Sequence, residues 1–309
     1  MLIWWKTASL VPLTVVLAAA TWQAPAFRSR TDLVALTVTV LDDKGMPVPR
    51  LDRAAFTVTE DGRSQPIVHF ASGEMPISLV VALDCSESMQ GARFDVAREA
   101  VSGFLDRLGP DDEFTLIGFN DQPFSISPWS TIPRTIVDAL ARVTPQGYTA
   151  LYSAVSTALD GLRGSRNRRQ ALVIVSDGND QLRGERPTLR ISPAARQRSV
   201  AAIDRVQHSE AMVYAIAVDA PFAQPIDAAA LRLVTDPSGG STQVVDSDRG
   251  ITAAAERIGA ELRHQYVLGV TPSHPGDGRF HKVQVTVNSC NRCRVRVRSG
   301  YIADPVPRR

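Results

Sequence analysis

The sequence predicts an α/β fold: a doubly wound, mostly parallel sheet inserted into a β-sandwich that the two ends of the chain build together. In the central part, short and wholly apolar segments alternate with segments of helical spacing, a pattern typical of a parallel sheet covered by helices on both faces. Both flanks instead carry β-branched alternation and turn signals. Each flank holds too few strands for a core of its own, so we expect the flanks to pair.

The composition is that of an ordinary globular protein. Of 309 residues, 44% are hydrophobic and 21% are charged, so disordered and collagen-like classes are excluded. Lys and Arg total 34, Asp and Glu total 32, and the net charge is +2. So small an excess gives no whole-molecule attraction to nucleic acid or to an anionic membrane. Three cysteines are too few for a disulfide-stapled scaffold.

The first 26 residues have the order of a secretory signal peptide. A basic start, Met1–Lys6, precedes an uncharged apolar run, Thr7–Ala20, and small residues follow up to Ala26. The run is shorter than the ~20 residues that a bilayer span needs. We therefore predict cleavage after Ala26 and export to the periplasm or the medium, with an uncleaved N-terminal anchor as the alternative. No later segment of the sequence reads as a membrane span.

The N-terminal β segment, residues 27–75, reads as strands alone. Leu33–Leu41 alternates β-branched residues and ends at a turn. Phe56–Glu60 and Ser64–Phe70 flank the dipeptide Asp61-Gly62, which is typical of a tight hairpin turn. This flank is therefore predicted to contribute a strand and a hairpin.

The central segment, residues 76–263, carries the α/β pattern. Its predicted strands are Ile77–Leu83, Phe114–Phe119, Ala171–Val175, Met212–Val218 and Thr242–Val245. Its predicted helices are Arg93–Leu108, Ile136–Val143, Ala150–Leu162, Ala194–Gln207, Ala228–Val234 and Ile251–Leu262. The alternation predicts one α/β domain over this range.

The C-terminal β segment, residues 264–304, returns to strand patterns, and residues 305–309 form a short tail. The predicted strands are Gln265–Val270, Arg279–Val287 and Arg294–Arg298. Cys290 and Cys293 stand between the last two of these strands, which we interpret as a hairpin whose loop a local disulfide bridges.

Oxygen-bearing side chains follow the predicted strands where the strands end. Asp84, Ser86 and Ser88 form a D-x-S-x-S pattern, Thr149 precedes a helix, and Asp177 follows a strand. Because the carboxyl ends of parallel strands meet at one edge of a sheet, we expect these groups to lie close together. Hydroxyl and carboxylate oxygens are hard ligands suited to Mg²⁺ or Mn²⁺, with Ca²⁺ as an alternative. Neutral hydroxyls leave much of the ion's charge uncompensated, so a carboxylate from a protein partner is the expected further ligand.

This set resembles the metal-ion-dependent adhesion site (MIDAS) of von Willebrand factor type A (VWA) domains, over about Ile77–Arg263. The resemblance implies a Rossmann-like domain that binds a protein partner through Mg²⁺. It further implies that the metal ligands are Asp84, Ser86, Ser88, Thr149 and Asp177, the two aspartates acting directly or through water. Glu87 and Tyr148 depart from the common form of the site.

The flanks resemble an exported bacterial subgroup of these proteins, of the acidobacterial type. The shared motifs are V-x-V-x-V-D-D-x-G-x-P-V (here Leu36–Val48), F-x-V-x-E-D-G (Phe56–Gly62), Y-V-L-G-x-T-P (Tyr266–Pro272), D-G-x-F-H-K-V (Asp277–Val283) and R-S-G-Y (Arg298–Tyr301). The subgroup resemblance implies architecture more than biology.

The predicted function is thus metal-dependent, adhesion-type protein binding without catalysis. One alternative is a scaffold subunit of an envelope assembly in which the metal only stabilises the fold. A second is a metal-dependent hydrolase with Asp84 as the nucleophile. Phosphatases of that layout resemble D-x-D, whereas Ser86 stands at the second position here, and the histidines lie outside the motif loops. The simplest alternative is that Asp84, Ser86 and Ser88 only cap a helix, which leaves Thr149 and Asp177 unexplained.

Overall fold

The computed structural model describes residues 33–185, 193–219, 225–290 and 292–303. The predicted signal peptide, residues 1–26, and the predicted tail, residues 305–309, lie outside the described residues. Within the described part of the chain, no helix combines the length and the apolar character needed to cross a bilayer.

The order of elements follows the predicted pattern of β, then α/β, then β. The strands are β1 (Val34–Leu41), β2 (Phe56–Glu60), β3 (Arg63–Gln65), β4 (Ile67–Ser72), β5 (Ile77–Asp84), β6 (Glu113–Phe119), β7 (Pro123–Ser130), β8 (Arg169–Ser176), β9 (Met212–Val218), β10 (Thr242–Val245), β11 (Tyr266–Val270), β12 (Phe280–Val287), β13 (Arg294–Arg296) and β14 (Gly300–Ile302). The helices are α1 (Ala92–Leu105), α2 (Pro133–Leu140), α3 (Leu151–Leu162), α4 (Pro193–Gln207), α5 (Ala228–Ser238) and α6 (Asp248–Arg263).

A six-stranded sheet of order β10-β9-β8-β5-β6-β7 forms the centre of the molecule. All of its neighbouring strands are parallel except β6 and β7. Every residue of β5 and of β9 is buried, because α1, α2 and α6 pack on one face of the sheet and α3, α4 and α5 on the other. A strand covered on both faces needs apolar residues at every position. The predicted doubly wound α/β fold is confirmed.

The two flanks of the chain interleave in two further antiparallel sheets, of order β13-β1-β11-β4 and β14-β12-β2-β3. In the first, β1 from the N-terminal flank pairs with β11 and β13 from the C-terminal flank. In the second, β2 pairs with β12. One hydrophobic cluster contains buried residues of both flanks. Each sheet therefore depends on strands from both ends of the chain, while the exact domain boundaries stay a prediction.

The structure differs from the predicted elements in four places, the first being the strand β14, which was not predicted. The predicted strand Ser64–Phe70 divides at Pro66 into β3 and β4, which belong to different sheets. The edge strand β7 was not predicted, because two prolines break its pattern; an edge position tolerates them. A disulfide joins Cys290 and Cys293, but β12 and β13 belong to different sheets. The interpretation of their connection as a hairpin was therefore wrong.

Candidate functional site

Three loops bring the predicted ligands to the carboxyl edge of the central sheet. Asp84 is the last residue of β5, and Ser86 and Ser88 follow it. Thr149 lies just before α3, and Asp177 follows β8 directly. Asp84 and Asp177 have no exposed surface, and Ser86 and Thr149 are buried as well. Ser88 is half-buried.

Main-chain hydrogen bonds hold the three loops against one another. The Glu87 N–H donates to the Gly147 carbonyl at 3.0 Å, which joins the first loop to the second. Thr149 and Gln181 exchange two hydrogen bonds of 2.8 and 2.9 Å, which join the second loop to the third. These backbone contacts therefore fix the relative positions of the predicted ligand side chains, which are preorganised for binding.

The carboxylate of Asp84 is held at both oxygens. Its Oδ1 accepts the Ser86 N–H at 2.9 Å, and its Oδ2 accepts the Ser176 hydroxyl at 2.6 Å. Burial, together with the negative charge of Asp177, raises the pKa of Asp84 to about 7. Two carboxylates buried side by side repel each other, and a cation placed between them would relieve that repulsion.

The two serine hydroxyls are spaced as neighbouring ligands of a small hard ion. Ser86 Oγ and Ser88 Oγ are 3.1 Å apart. In an octahedral Mg²⁺ shell, bonds of about 2.1 Å place adjacent oxygens about 3 Å apart. The spacing and the donor chemistry therefore fit Mg²⁺ or Mn²⁺, although binding of a metal by these residues stays a prediction.

Arg93 on α1 is a member of the site that the sequence analysis missed. Its Nη1 donates to Asp177 Oδ2 and to the Ser88 carbonyl, each at 3.1 Å, and its side chain is 1% exposed. Arg93 stands four and seven residues before the buried Ala97 and Ala100, in the stripe of α1 that faces the core. The position of Arg93 in this stripe could have identified it from the sequence, because a charged residue that lies in a buried apolar stripe is normally paired with an opposite charge.

The rim of the site is polar and mixed in charge. Glu87 is exposed, and the half-exposed ring of Tyr148 lies 5.8 Å from the Arg183 guanidinium. Arg183 also contacts Asp121 at 3.4 Å, and Asp121 accepts the Tyr148 N–H at 3.0 Å. The two departures from the common site, Glu87 and Tyr148, therefore lie at its surface and leave the buried oxygens undisturbed.

Gly178 gives a direct test of how tightly the Asp177 loop is packed. Its φ is +87°, and a Cβ there would clash with the Asp227 carbonyl. We expect Gly178→Ala to lower the free energy of unfolding by about 1–3 kcal/mol, as measured by urea unfolding. Gly161→Ala within α3 is the matched control: it meets open space and should stabilise by about 0.4–1 kcal/mol. Equal effects of the two changes would contradict this account of the loop.

Comparison with known proteins identifies the central part of the chain. Residues 79–179 match the family model for the von Willebrand factor type A domain. The chain is 40% identical over 53 residues to the voltage-dependent calcium channel subunit alpha-2/delta-3 of Homo sapiens. These 53 residues are 17% of this chain and 5% of that protein. An uncharacterized protein of Synechocystis sp. is 24% identical over 110 residues, covering 35% of this chain and 26% of that protein. The chain thus spans only a small part of the curated proteins that it matches.

A solved structure supports the fold independently. An aerotolerance-related membrane protein from Bacteroides fragilis superposes with a TM-score of 0.50 at 20% identity, covering 60% of this chain and 98% of that one. At this identity the likeness concerns the fold alone, and the resemblance of the flanks to the exported subgroup stays a prediction. The matched family model, together with the six-stranded sheet and its helices, shows that this chain contains a von Willebrand factor type A domain.

Proposed function

We propose that this chain is an exported bacterial module that binds a protein partner through a divalent metal ion. Asp84, Ser86, Ser88, Thr149 and Asp177 would hold Mg²⁺ or Mn²⁺, and an Asp or Glu carboxylate of the partner would complete its coordination. The observation that carries the proposal is the convergence of these oxygen-bearing groups from three separate loops at one sheet edge.

The charge of the site favours an anionic partner once a metal is present. Asp84 and Asp177 contribute two negative charges when ionised, and Arg93 contributes one positive charge beside Asp177. Among these three buried groups, a divalent ion would change the sum of the charges from −1 to +1; Asp219, which lies 3.7 Å from Arg93, is 44% exposed and solvated. Carboxylates are good ligands of hard ions, so such a site would attract a partner's Asp or Glu.

The adhesion-type function is tested with Mn²⁺ as a paramagnetic probe. Water on protein-bound Mn²⁺ exchanges with solvent and enhances its proton relaxation. A short neutral peptide with one Asp should displace that water and lower the enhancement, whereas the same peptide with Asn should not. Equal effects of both peptides, or no effect of either at saturating Mn²⁺, would contradict a coordination position for a partner carboxylate and would favour a metal that only stabilises the fold.

The side chains at this edge give no support to catalysis. The proposal needs only binding, in which Asp84, oriented by Ser86 and Ser176, and Asp177, paired with Arg93, would hold the ion. A hydrolase would also need a general base, and the histidines of the sequence lie outside the motif loops. We therefore propose a non-enzymatic role.

A further inference from the structure

A second group of metal-binding side chains lies in the antiparallel sheets. Glu60 ends β2, Asp61 follows it in the β2–β3 turn, His274 lies in the connection from β11 to β12, and His281 lies in β12. One ligand atom from each of the four lies within 4.8 Å of the others. Three of the four belong to the E-D-G and F-H-K-V motifs, for which the proposed function has no use.

The cluster holds more negative than positive charge. His281 Nδ1 lies 2.8 Å from Asp61 Oδ2 and 3.7 Å from Glu60 Oε1, and its Nε2 lies 3.0 Å from Asp277 Oδ1. Among the residues that the structure describes, His281 is the one basic side chain within ion-pair distance of these three carboxylates. Glu60 and the side chain of His281 are at most 5% exposed. One imidazolium balances one carboxylate, so a divalent cation that displaced the Nδ1 proton would supply positive charge to a cluster in which Glu60 and His281 are buried and Asp61 and His274 are exposed.

The surrounding contacts hold the ligands in place as the outer partners of a metal site would. Asp277 binds Nε2 of His281, which leaves Nδ1 directed at Asp61 and Glu60; a carboxylate on the far nitrogen is the usual support of a metal-binding histidine. Glu60 accepts the Tyr301 hydroxyl at 2.9 Å and the Ser273 N–H at 3.1 Å.

The donor set selects the class of metal. The four residues offer two imidazole nitrogens and two carboxylate oxygens, a combination that zinc and related transition metals accept. Mg²⁺ prefers oxygen ligands throughout and retains water, so it would favour the site around Asp84 instead. The rings of His274 and His281 stack at 5.4 Å with 5° between their planes, which keeps the exposed His274 beside the buried one.

We propose that Glu60, Asp61, His274 and His281 bind a divalent transition-metal ion of the zinc class, with Asp277 orienting His281. Two ligands come from the N-terminal flank and two from the C-terminal flank. The ion would therefore link the two ends of the chain, and its binding would add to the stability of the folded state.

The test uses the full chain with Co²⁺ as a spectroscopic stand-in for Zn²⁺, in excess Mg²⁺ and in the Asp84→Asn background, which preserves the shape of the buried side chain. This background separates the cluster from the site of the proposed function, so either proposal can fail alone. We expect one equivalent of Co²⁺ to produce the intense visible absorption of a four-coordinate ion, and Zn²⁺ to displace it.

The variants decide which residues hold the ion. His274→Ala removes an exposed ligand without disturbing the core and should weaken Co²⁺ binding at least about 10-fold, while Asp277→Asn should weaken it about 10- to 100-fold. His69→Ala changes another exposed histidine, on β4, and should have no effect. An absent visible band, or equal affinity in His274→Ala and the parent chain, would overturn the proposal.

Discussion

Mg²⁺ or Mn²⁺ at 100 times its dissociation constant is expected to raise the free energy of unfolding of the wild-type chain by about 2.7 kcal/mol. The Asp84→Ala chain should show no such gain. The physical reason is that an ion held by oxygens from three loops binds the folded state alone, since those loops meet only when the sheet is formed. Chemical unfolding at matched ionic strength, with and without chelator, measures the difference.

Two further variants make this result specific to the site. Asp84→Asn preserves the shape of the buried side chain. It therefore controls for a collapse of the fold around the cavity that the alanine variant leaves. Asp95→Ala removes an exposed carboxylate on α1 and should retain the full response to metal. If the wild type fails to respond at millimolar ion, the metal-dependent function is wrong, and the chain is better described as a metal-free scaffold with a VWA fold.

Arg93→Met should cost about 3–5 kcal/mol of unfolding free energy, because it leaves the carboxylate of Asp177 buried without its cation. Arg98→Met is the matched control on the same helix. Arg98 pairs with Asp95 at the surface, where an ion pair contributes about 0–1 kcal/mol. Urea unfolding of the two variants without divalent ions gives the comparison.

The double variant Arg93→Met with Asp177→Asn distinguishes charge from packing. If the unpaired charge causes the loss, neutralising Asp177 should recover a substantial part of it, and Mg²⁺ should recover part of it in the single variant. A loss that neither change repairs would mean that Arg93 acts through the packing of its aliphatic stem. In that case its ion pair with Asp177 would have little importance for the site.

The amino-acid sequence by itself determined the central sheet and the sheet edge at which the predicted ligands lie. Continuous apolar runs such as those of β5 and β9 suit a strand that is buried on both faces. This pattern can be recognised in the sequence without knowing which strands lie beside it. The position of the ligands followed from topology, since the carboxyl ends of parallel strands share an edge. For the same reason Asp84 and Asp177, which are far apart in the chain, were expected together and are found together.

Tertiary structure alone decided which partners the less regular segments find. The break at Pro66 sends β3 and β4 into different sheets: β3 pairs with β2 of its own flank, whereas β4 pairs with β11 of the other flank. Arg93 is buried because Asp177 lies opposite it, 84 residues away, and the turn residue Asp61 meets His281, 220 residues away. Local propensity predicts whether a segment forms a helix or a strand. The burial of a charge depends instead on which group of another segment the fold brings into contact with it.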